Sequence, residues 1–474
     1  MKNKLLLLSI ISLIIGCKMK TEKLASIKEK HSIVRNKDLE TAIIYEANIR
    51  QYSQDGSFEA FTKDIPRLKN DLGVKIIWLM PVFPISETKR KATGDTFVSE
   101  IKDPEERKKY LGSYYAVSDY RGVSRDYGTK EDLRNLIKVA HENEVFVILD
   151  WVPNHTGWDH KWLKEHPDFY TKDKNGNITD PLNDDGSSKG WQDVADLNYS
   201  NKELRKAMIA DMKYWLTDED IDGFRCDVAG EVPVEFWKEA IPELRKVKPI
   251  FMLAEAWEPE LLKDNLFDMC YGWESHFLMA DIAKGKKTIK DWDQYISKIN
   301  HDYENDDIIM NFTANHDENS WKGTVAETFG EADKLMAVLS YLTPGMPLIY
   351  SGQEYDLDHQ LKFFEKDSFP KEKGAYYSLY QQLAKLKIAH PALNGGKNAA
   401  TYKKIPATDK NVLAFVREKE GDQVVFIANM SNQPISTSIE YTGNFKANAT
   451  GNMLNLDSKT EIKLPKWGYL ILEK

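Results

Sequence analysis

Asp222-Gly223-Phe224-Arg225-Cys226-Asp227-Val228-Ala229 is a short, largely apolar run with an arginine and an aspartate two residues apart. In an extended strand, alternate side chains share a face. The spacing therefore predicts that Arg225 and Asp227 point the same way, the guanidinium holding the carboxylate ionised. A positioned carboxylate at a strand end can serve as a covalent nucleophile, as a metal ligand, or as half of a structural ion pair. The run alone leaves these readings open. What its neighbours bring alongside decides between them.

Working outward, the run is the fourth of eight strand-like segments, at 42–45, 75–80, 145–150, 223–226, 250–253, 268–271, 308–312 and 347–350. Several are continuous apolar runs, as strands buried on both faces require. Between them lie stretches with helical periodicity at 58–72, 130–144, 202–216, 234–246, 289–300, 331–342 and 376–389. Eight strands alternating with helices predict an α/β chain closed as a (β/α)8 TIM barrel over 38–390, rather than an open doubly wound sheet. No glycine-rich phosphate loop follows any of the strands, which disfavours a nucleotide-binding fold. Two connections, 81–129 and 156–199, exceed a plain loop, and the second is expected to form a small subdomain after strand 3. Its Asp173-Lys174-Asn175-Gly176-Asn177 segment reads as a solvated turn rather than a cation site. After residue 391 the pattern changes to short alternating runs at 412–417, 423–429, 435–441, 460–464 and 468–472. These predict a C-terminal antiparallel β-sandwich over 391–474.

Composition narrows the function classes. The 474 residues are too many for one compact core. A net charge of −9 argues against a nucleic-acid partner. The 12 Trp and 22 Tyr fill the core for the most part and leave some rings to stack on the apolar faces of sugars. At the start, Lys2 and Lys4 precede an apolar run, 5–15, too short to span a bilayer, and the run leads into Gly16-Cys17. This resembles a bacterial lipobox. It implies a lipoprotein signal peptide over 1–17, diacylation of Cys17, a flexible tether over 18–37, and a lipid-anchored protein of the bacterial cell envelope in contact with its membrane. Cys226 and Cys270 fall in apolar runs and are read as buried thiols, not a disulfide framework.

Barrel sites gather at the C-terminal ends of the strands. Those ends carry Asp150-Trp151-Val152-Pro153-Asn154-His155 after the third strand, Arg225 and Asp227 on the fourth, Glu255 after the fifth, and Asn315-His316-Asp317-Glu318 after the seventh. Any one of these could be structural. Asp227, Glu255 and Asp317, with His155, His316 and Arg225, are expected to act together at one mouth.

These four ordered motifs resemble those of glycoside hydrolase family 13, the α-amylase family. The resemblance implies Asp227 as nucleophile, Glu255 as general acid/base, and Asp317 as the third carboxylate. It further implies Arg225 as support for Asp227, and His155 and His316 as sugar-binding residues. Asp196-Leu197-Asn198 matches a fifth family segment, and Tyr115 matches the tyrosine on which the sugar stacks. Asn154 and Asp196 match positions that hold structural calcium in many members; no organic cofactor is implied. The expected substrates are starch, maltodextrins or related α-glucan and maltooligosaccharide chains, cleaved at α-1,4 bonds with retention. The chemistry agrees: retaining glycosidases pair an ionised carboxylate with a protonated carboxyl.

Two departures stand out. Gly230-Glu231 occupies positions where family amylases often carry Lys-His, and the histidine that usually precedes the stacking tyrosine is absent from Gly112-Ser113-Tyr114-Tyr115. Both touch the acceptor side and the subsite wall. A glucanotransferase or isomerase on the same scaffold, or a neopullulanase, cyclomaltodextrinase or α-glucosidase specificity, therefore stays open. A non-catalytic sugar-binding member would need a missing carboxylate, and none of the three is missing.

Overall fold

The protein is described by a computed structural model over residues 32–474. Cys17, the 1–17 segment and most of the proposed tether lie outside the described residues.

Eight parallel strands close into a barrel: β1 (Ile44–Ala47), β2 (Ile76–Leu79), β3 (Phe146–Trp151), β4 (Gly223–Cys226), β5 (Phe251–Ala254), β6 (Met269–Tyr271), β7 (Ile308–Asn311) and β8 (Met346–Tyr350). Closure comes from β8 pairing in parallel with β1, Ile44 opposite Leu348 and Glu46 opposite Tyr350. Every residue of these strands is buried, because helices cover the outside and side chains fill the inside.

Gly223 shows why the opening stretch reads as it does. Its φ is +151°, and a Cβ there would stand 1.8 Å from the carbonyl oxygen of Phe251. Only glycine lets β4 lie this close to β5. Close approach recurs at Gly345 before β8, where a Cβ would meet Ile309 O at 2.2 Å.

Some elements differ from the sequence expectation. β1 begins two residues later than 42–45, which puts Glu46 on the strand. The expected 58–72 helix is two, Phe58–Thr62 and Ile65–Leu72, and Pro66 sits in the first turn of the second, where its missing N–H costs nothing. The helix expected at 331–342 starts only at Asp333. A helix at Trp273–Ala283, directly after β6, was not anticipated. Its apolar residues fall all round, so no amphipathic period marks it.

The long connections build the rim of the barrel mouth. After β2, Lys91–Thr93 and Thr96–Phe97 form a small hairpin. After β3, His155–Gly157 pairs antiparallel with Val194–Asp196, His155 opposite Asp196, and this ribbon closes the 156–199 excursion. Asp173 is an exposed turn residue whose Oδ1 accepts from the backbone N–H of Asn175 and of Asn177, both at 2.8 Å.

The C-terminal region is a six-stranded antiparallel sheet with a two-stranded ribbon, Ile435–Thr437 against Ile462–Leu464, over one face. That face buries Val416, Val425, Ile427 and Leu472. The other, with Phe415 and Phe426, joins the barrel's core. Strands at Thr401–Lys404, Gly443–Ala447 and Met453–Leu456 were not anticipated, and the run at 435–441 is a strand only as far as Thr437. Buried Arg417 bridges barrel and sheet: Nη1 donates to Leu342 O at 2.9 Å and Nε to Thr401 O at 3.0 Å. Among the described residues no helix is long and apolar enough to cross a membrane.

Candidate active site

The residues singled out at the strand ends converge. A cleft of about 460 Å3 opens at the C-terminal mouth of the barrel, lined by Tyr115, His155, Asp227, Glu255, His316 and Asp317 among others. Arg225 lies at its floor, fully buried. Its Nη1 donates to Asp227 Oδ1 at 3.0 Å and to Asp150 Oδ1 at 2.7 Å, and its Nη2 stands 2.9 Å from Glu255 Oε2. Nε donates to the Tyr271 hydroxyl at 3.1 Å. One guanidinium thus spans three carboxylates from β3, β4 and β5.

A second chain of contacts enters from β1 and β7. Glu46 Oε1 accepts from His316 Nδ1 at 2.6 Å and from the His316 backbone N–H at 3.2 Å. His316 Nε2 lies 2.7 Å from the Tyr115 hydroxyl and 3.3 Å from Asp317 Oδ2. The Tyr115 hydroxyl reaches Asp150 Oδ2 at 3.2 Å, and Trp78 Nε1 donates to the same oxygen at 3.1 Å. The Tyr115 ring stacks against His316 at 5.6 Å and against Phe363 at 6.4 Å.

The turn after β4 is strained. Val228 has φ 37° and ψ 48°, a left-handed conformation costly for a β-branched residue. That conformation aims the Val228 N–H at Glu255 Oε2, 2.7 Å away. Backbone strain here fixes the carboxylate of one strand end against the next.

Five carboxyl groups (Glu46, Asp150, Asp227, Glu255, Asp317) therefore share two strong cationic partners, Arg225 and His316. Burial pushes Asp227 up, and although Arg225 pulls it down, Glu255, Asp150 and Asp317 add to the rise. The Arg225 that the sequence reading pairs with Asp227 is in place, and its pull is opposed by burial and by the neighbouring carboxylates. Burial likewise raises Asp150 to about 6 against Arg225 and His316. The two histidines differ. Burial lowers His155 to about 3, leaving a neutral imidazole. Burial acts the same way on His316, but Asp317 and Glu46 outweigh it and carry the group up to about 9.

Asn154 and Asp196 are brought together by the ribbon register, and Leu197 N–H donates to Asn154 O at 3.1 Å. Burial raises Asp196 to about 6. Calcium needs six to eight oxygens, and among the described residues no group of three or more His, Cys, Asp or Glu surrounds a common point. Asn154 and Asp196 supply part of such an oxygen set, and no chemistry is routed through a metal.

Sequence reasoning missed the surroundings. Glu46 and Trp78 carry no motif, and nothing in the 150–155 stretch marks Asp150 as a partner of Arg225. Trp191, Trp321, Phe363 and Phe364 line the cleft from three separate loops. Trp321 is half exposed and packs on Phe363 at 5.0 Å, continuing the aromatic wall that begins at Tyr115. Across the cleft, Lys189 pairs with Glu231 at 2.7 Å and lies over the Trp191 ring at 5.5 Å. The position that departs from the family pattern thus holds a cation from the 156–199 excursion.

The family model for the alpha amylase catalytic domain matches residues 43–385, well over half of the chain. The chain belongs to the alpha-amylase family. The model for the maltogenic amylase C-terminal domain matches residues 402–471. Among curated relatives, Alpha-amylase 3 of Dictyoglomus thermophilum is 26% identical over 475 residues, covering 85% of this chain and 86% of that protein. A 4-alpha-glucanotransferase of Thermotoga neapolitana is 29% identical over 344 residues, covering 66% and 70%. Among solved structures, a noncanonic maltogenic alpha-amylase, AmyB of Thermotoga neapolitana, superposes with a TM-score of 0.79 at 28% identity, over 92% of this chain and 99% of that one. As an alpha-amylase-family member, the protein is a glycoside hydrolase.

Proposed function

We propose that the enzyme hydrolyses α-1,4 bonds of starch-type glucans or maltooligosaccharides with retention, through a covalent intermediate on Asp227. The observation that carries this reading is the single Arg225 guanidinium holding Asp227 at one end and Glu255 at the other. A pair bridged in this way stands close, as double displacement needs; an inverting pair leaves room for a water between the carboxyls. Asp227 attacks the anomeric carbon while Glu255 delivers a proton to the departing oxygen, and then draws a proton from the incoming water. Asp317 and the His316 cation face the sugar hydroxyls and the charge that develops on the ring. The Tyr115–Phe363–Trp321 wall offers flat apolar faces to the donor-side sugars.

The test is NMR of the first product released from maltooligosaccharide: an initial α-anomer is expected, and an initial β-anomer rules out Asp227 as nucleophile. Asp227→Asn is expected to cost several powers of ten in kcat, because no other group attacks in its place. Glu255→Gln is expected to lose far less on glycosyl fluorides, whose leaving group needs no proton.

Transfer to a sugar acceptor uses the same intermediate. The specific observation favouring it is the Lys189–Glu231 ion pair set beside the half-buried Trp191 ring, which lines the cleft. Reducing-sugar release against chain-length redistribution, followed on one substrate panel, separates the two outcomes.

The Gly16-Cys17 motif supports an envelope protein anchored through a diacylated Cys17. Cys17→Ala is expected to move full-length protein from the membrane to the soluble fraction, and unchanged membrane association refutes the anchor.

A further inference from the structure

Glu46 belongs to none of the motifs at the strand ends, yet it is fully buried on β1 beside the cleft. Its Oε1 accepts two hydrogen bonds, both from His316, one from the backbone and one from Nδ1. Its Oε2 has no hydrogen-bond partner among the described residues. Three protonation patterns satisfy the short Nδ1 contact. In one, a neutral Glu46 carries its proton on Oε2, where a buried hydroxyl would find no acceptor. In the second, Glu46 is a carboxylate and His316 is neutral with its proton on Nδ1, which leaves a bare Nε2 facing Asp317 Oδ2 at 3.3 Å with no proton between them. In the third, Glu46 is a carboxylate and His316 an imidazolium, so the buried charge is compensated at the edge where both bonds form and Nε2–H meets Asp317. An unpaired buried donor is costly, whereas a buried charge is tolerated when directly paired.

We propose that Glu46 is a positioning residue that keeps His316 as a cation with its Nδ1–H pointing to β1, so that Nε2–H faces the cleft as a permanent charged donor. The groups around His316 agree. From the β7 loop, Asp317 Oδ2 lies 3.3 Å from Nε2. From the loop after β2, the Tyr115 hydroxyl lies 2.7 Å from Nε2; its own proton goes to Asp150 on β3, leaving an oxygen lone pair for the imidazolium. The Trp78 ring on β2 meets the imidazole edge-on at 5.9 Å. Arg225 on β4 is the one opposing charge, and it is taken up by Asp150, Asp227 and Glu255. The linked result is a line of alternating charge, Glu46, His316, Asp150 through Tyr115, then Arg225 and Asp227, running across the barrel mouth from β1 to β4. His155, by contrast, has only the Asn154 side-chain amide at 3.3 Å and no carboxylate partner in hydrogen-bond or ion-pair contact among the described residues, and it stays neutral. One mouth therefore presents two histidines in opposite charge states.

The kinetic consequence of this arrangement rests on the glycosidase reading above; the titration does not. The experiment is a 15N–1H titration of the side-chain histidine resonances in the intact protein, the His316 signal being the one absent from His316→Gln. In the wild type His316 is expected to stay protonated through neutral pH and to release its proton near 9. In Glu46→Gln, which keeps the shape and an acceptor but loses the charge, the midpoint is expected to fall by roughly one to three pH units, the usual effect of losing an adjacent opposite charge. The alkaline limb of kcat/KM is expected to move down with it, and the variant's activity to recover when the pH is lowered, which a merely structural defect would not do. A wild-type His316 that titrates near the ordinary histidine value overturns the proposal, and so does a Glu46→Gln protein that folds and leaves the midpoint unmoved. If Glu46→Gln does not fold, the wild-type titration decides alone. Inactivity on every glucan with a midpoint near 9 would refute the substrate assignment and leave the role of Glu46 standing.

Discussion

Tyr115 joins binding to chemistry at the scale of a single residue. Its ring lies roughly parallel to those of His316 and Phe363, and its hydroxyl ties Asp150 to His316. Tyr115→Phe keeps the wall and cuts the tie; Tyr115→Ala removes both. The alanine variant is expected to raise KM and lower kcat, with a combined loss of about 10²-fold or more in kcat/KM, while the phenylalanine variant mainly lowers kcat. Because Tyr115 lies on a loop and is only partly buried, the thermal midpoint of either variant should stay near that of the wild type. Steady-state kinetics on a maltooligosaccharide series, beside a thermal melt, check both statements. Equal effects of the two substitutions would show that the ring face contributes nothing.

At the scale of the element, the strands that carry function were legible because each announces itself locally. β4 holds its glycine, arginine and aspartate within five residues, and β3, β5 and β7 end in equally compact signals. What was not legible is what closure of the barrel brings together. Glu46 reaches His316 only because β1 pairs with β8 and packs near the end of β7, a contact across 270 residues. The aromatic wall draws on loops after β2, β7 and β8, none of which carries a periodic signal. The helix at Trp273–Ala283 escaped because periodicity needs a polar face, and this one has almost none. The charge on Asp227 escaped for a related reason: the local Arg225 pair predicts one direction, and burial among carboxylates from three other strands supplies the opposite. Gly223 gives the matching prediction. Gly223→Ala would drive a methyl group into the Phe251 carbonyl, a contact that no rotamer relieves. The expected outcome is a loss above about 4 kcal/mol, or failure to accumulate folded protein, measured by denaturant unfolding. An alanine variant of near-normal stability would mean that β4 and β5 do not approach as described.

For the whole molecule, the junction of barrel and C-terminal sheet holds two buried cations, Arg417 and Lys387, that form no ion pair among the described residues, beside surface pairs such as Lys404–Asp293. Arg417 gives its hydrogen bonds to backbone carbonyls of Leu342, Asn394, Ala400 and Thr401. Nearby, Lys387 is buried and donates to Leu393 O at 2.9 Å. Burial lowers Lys387 to about 7, with Arg417 adding to the fall. The unfolded lysine keeps its ordinary value near 10.4. Between these values the unfolded chain binds a proton that the folded chain does not, so this group makes stability rise with pH from about 7 to about 10. Below pH 7 both states hold the proton and the full cost of burying the charge remains. Lys387→Met keeps the length of the side chain without the charge. The difference in stability between variant and wild type should therefore favour the variant most at pH 6–7 and shrink toward pH 10, by an amount on the order of a few kcal/mol. Urea unfolding at fixed ionic strength across that range measures it. A difference that does not vary with pH would show that Lys387 stays charged in the folded protein, with solvent or a rearranged linker reaching it at the junction.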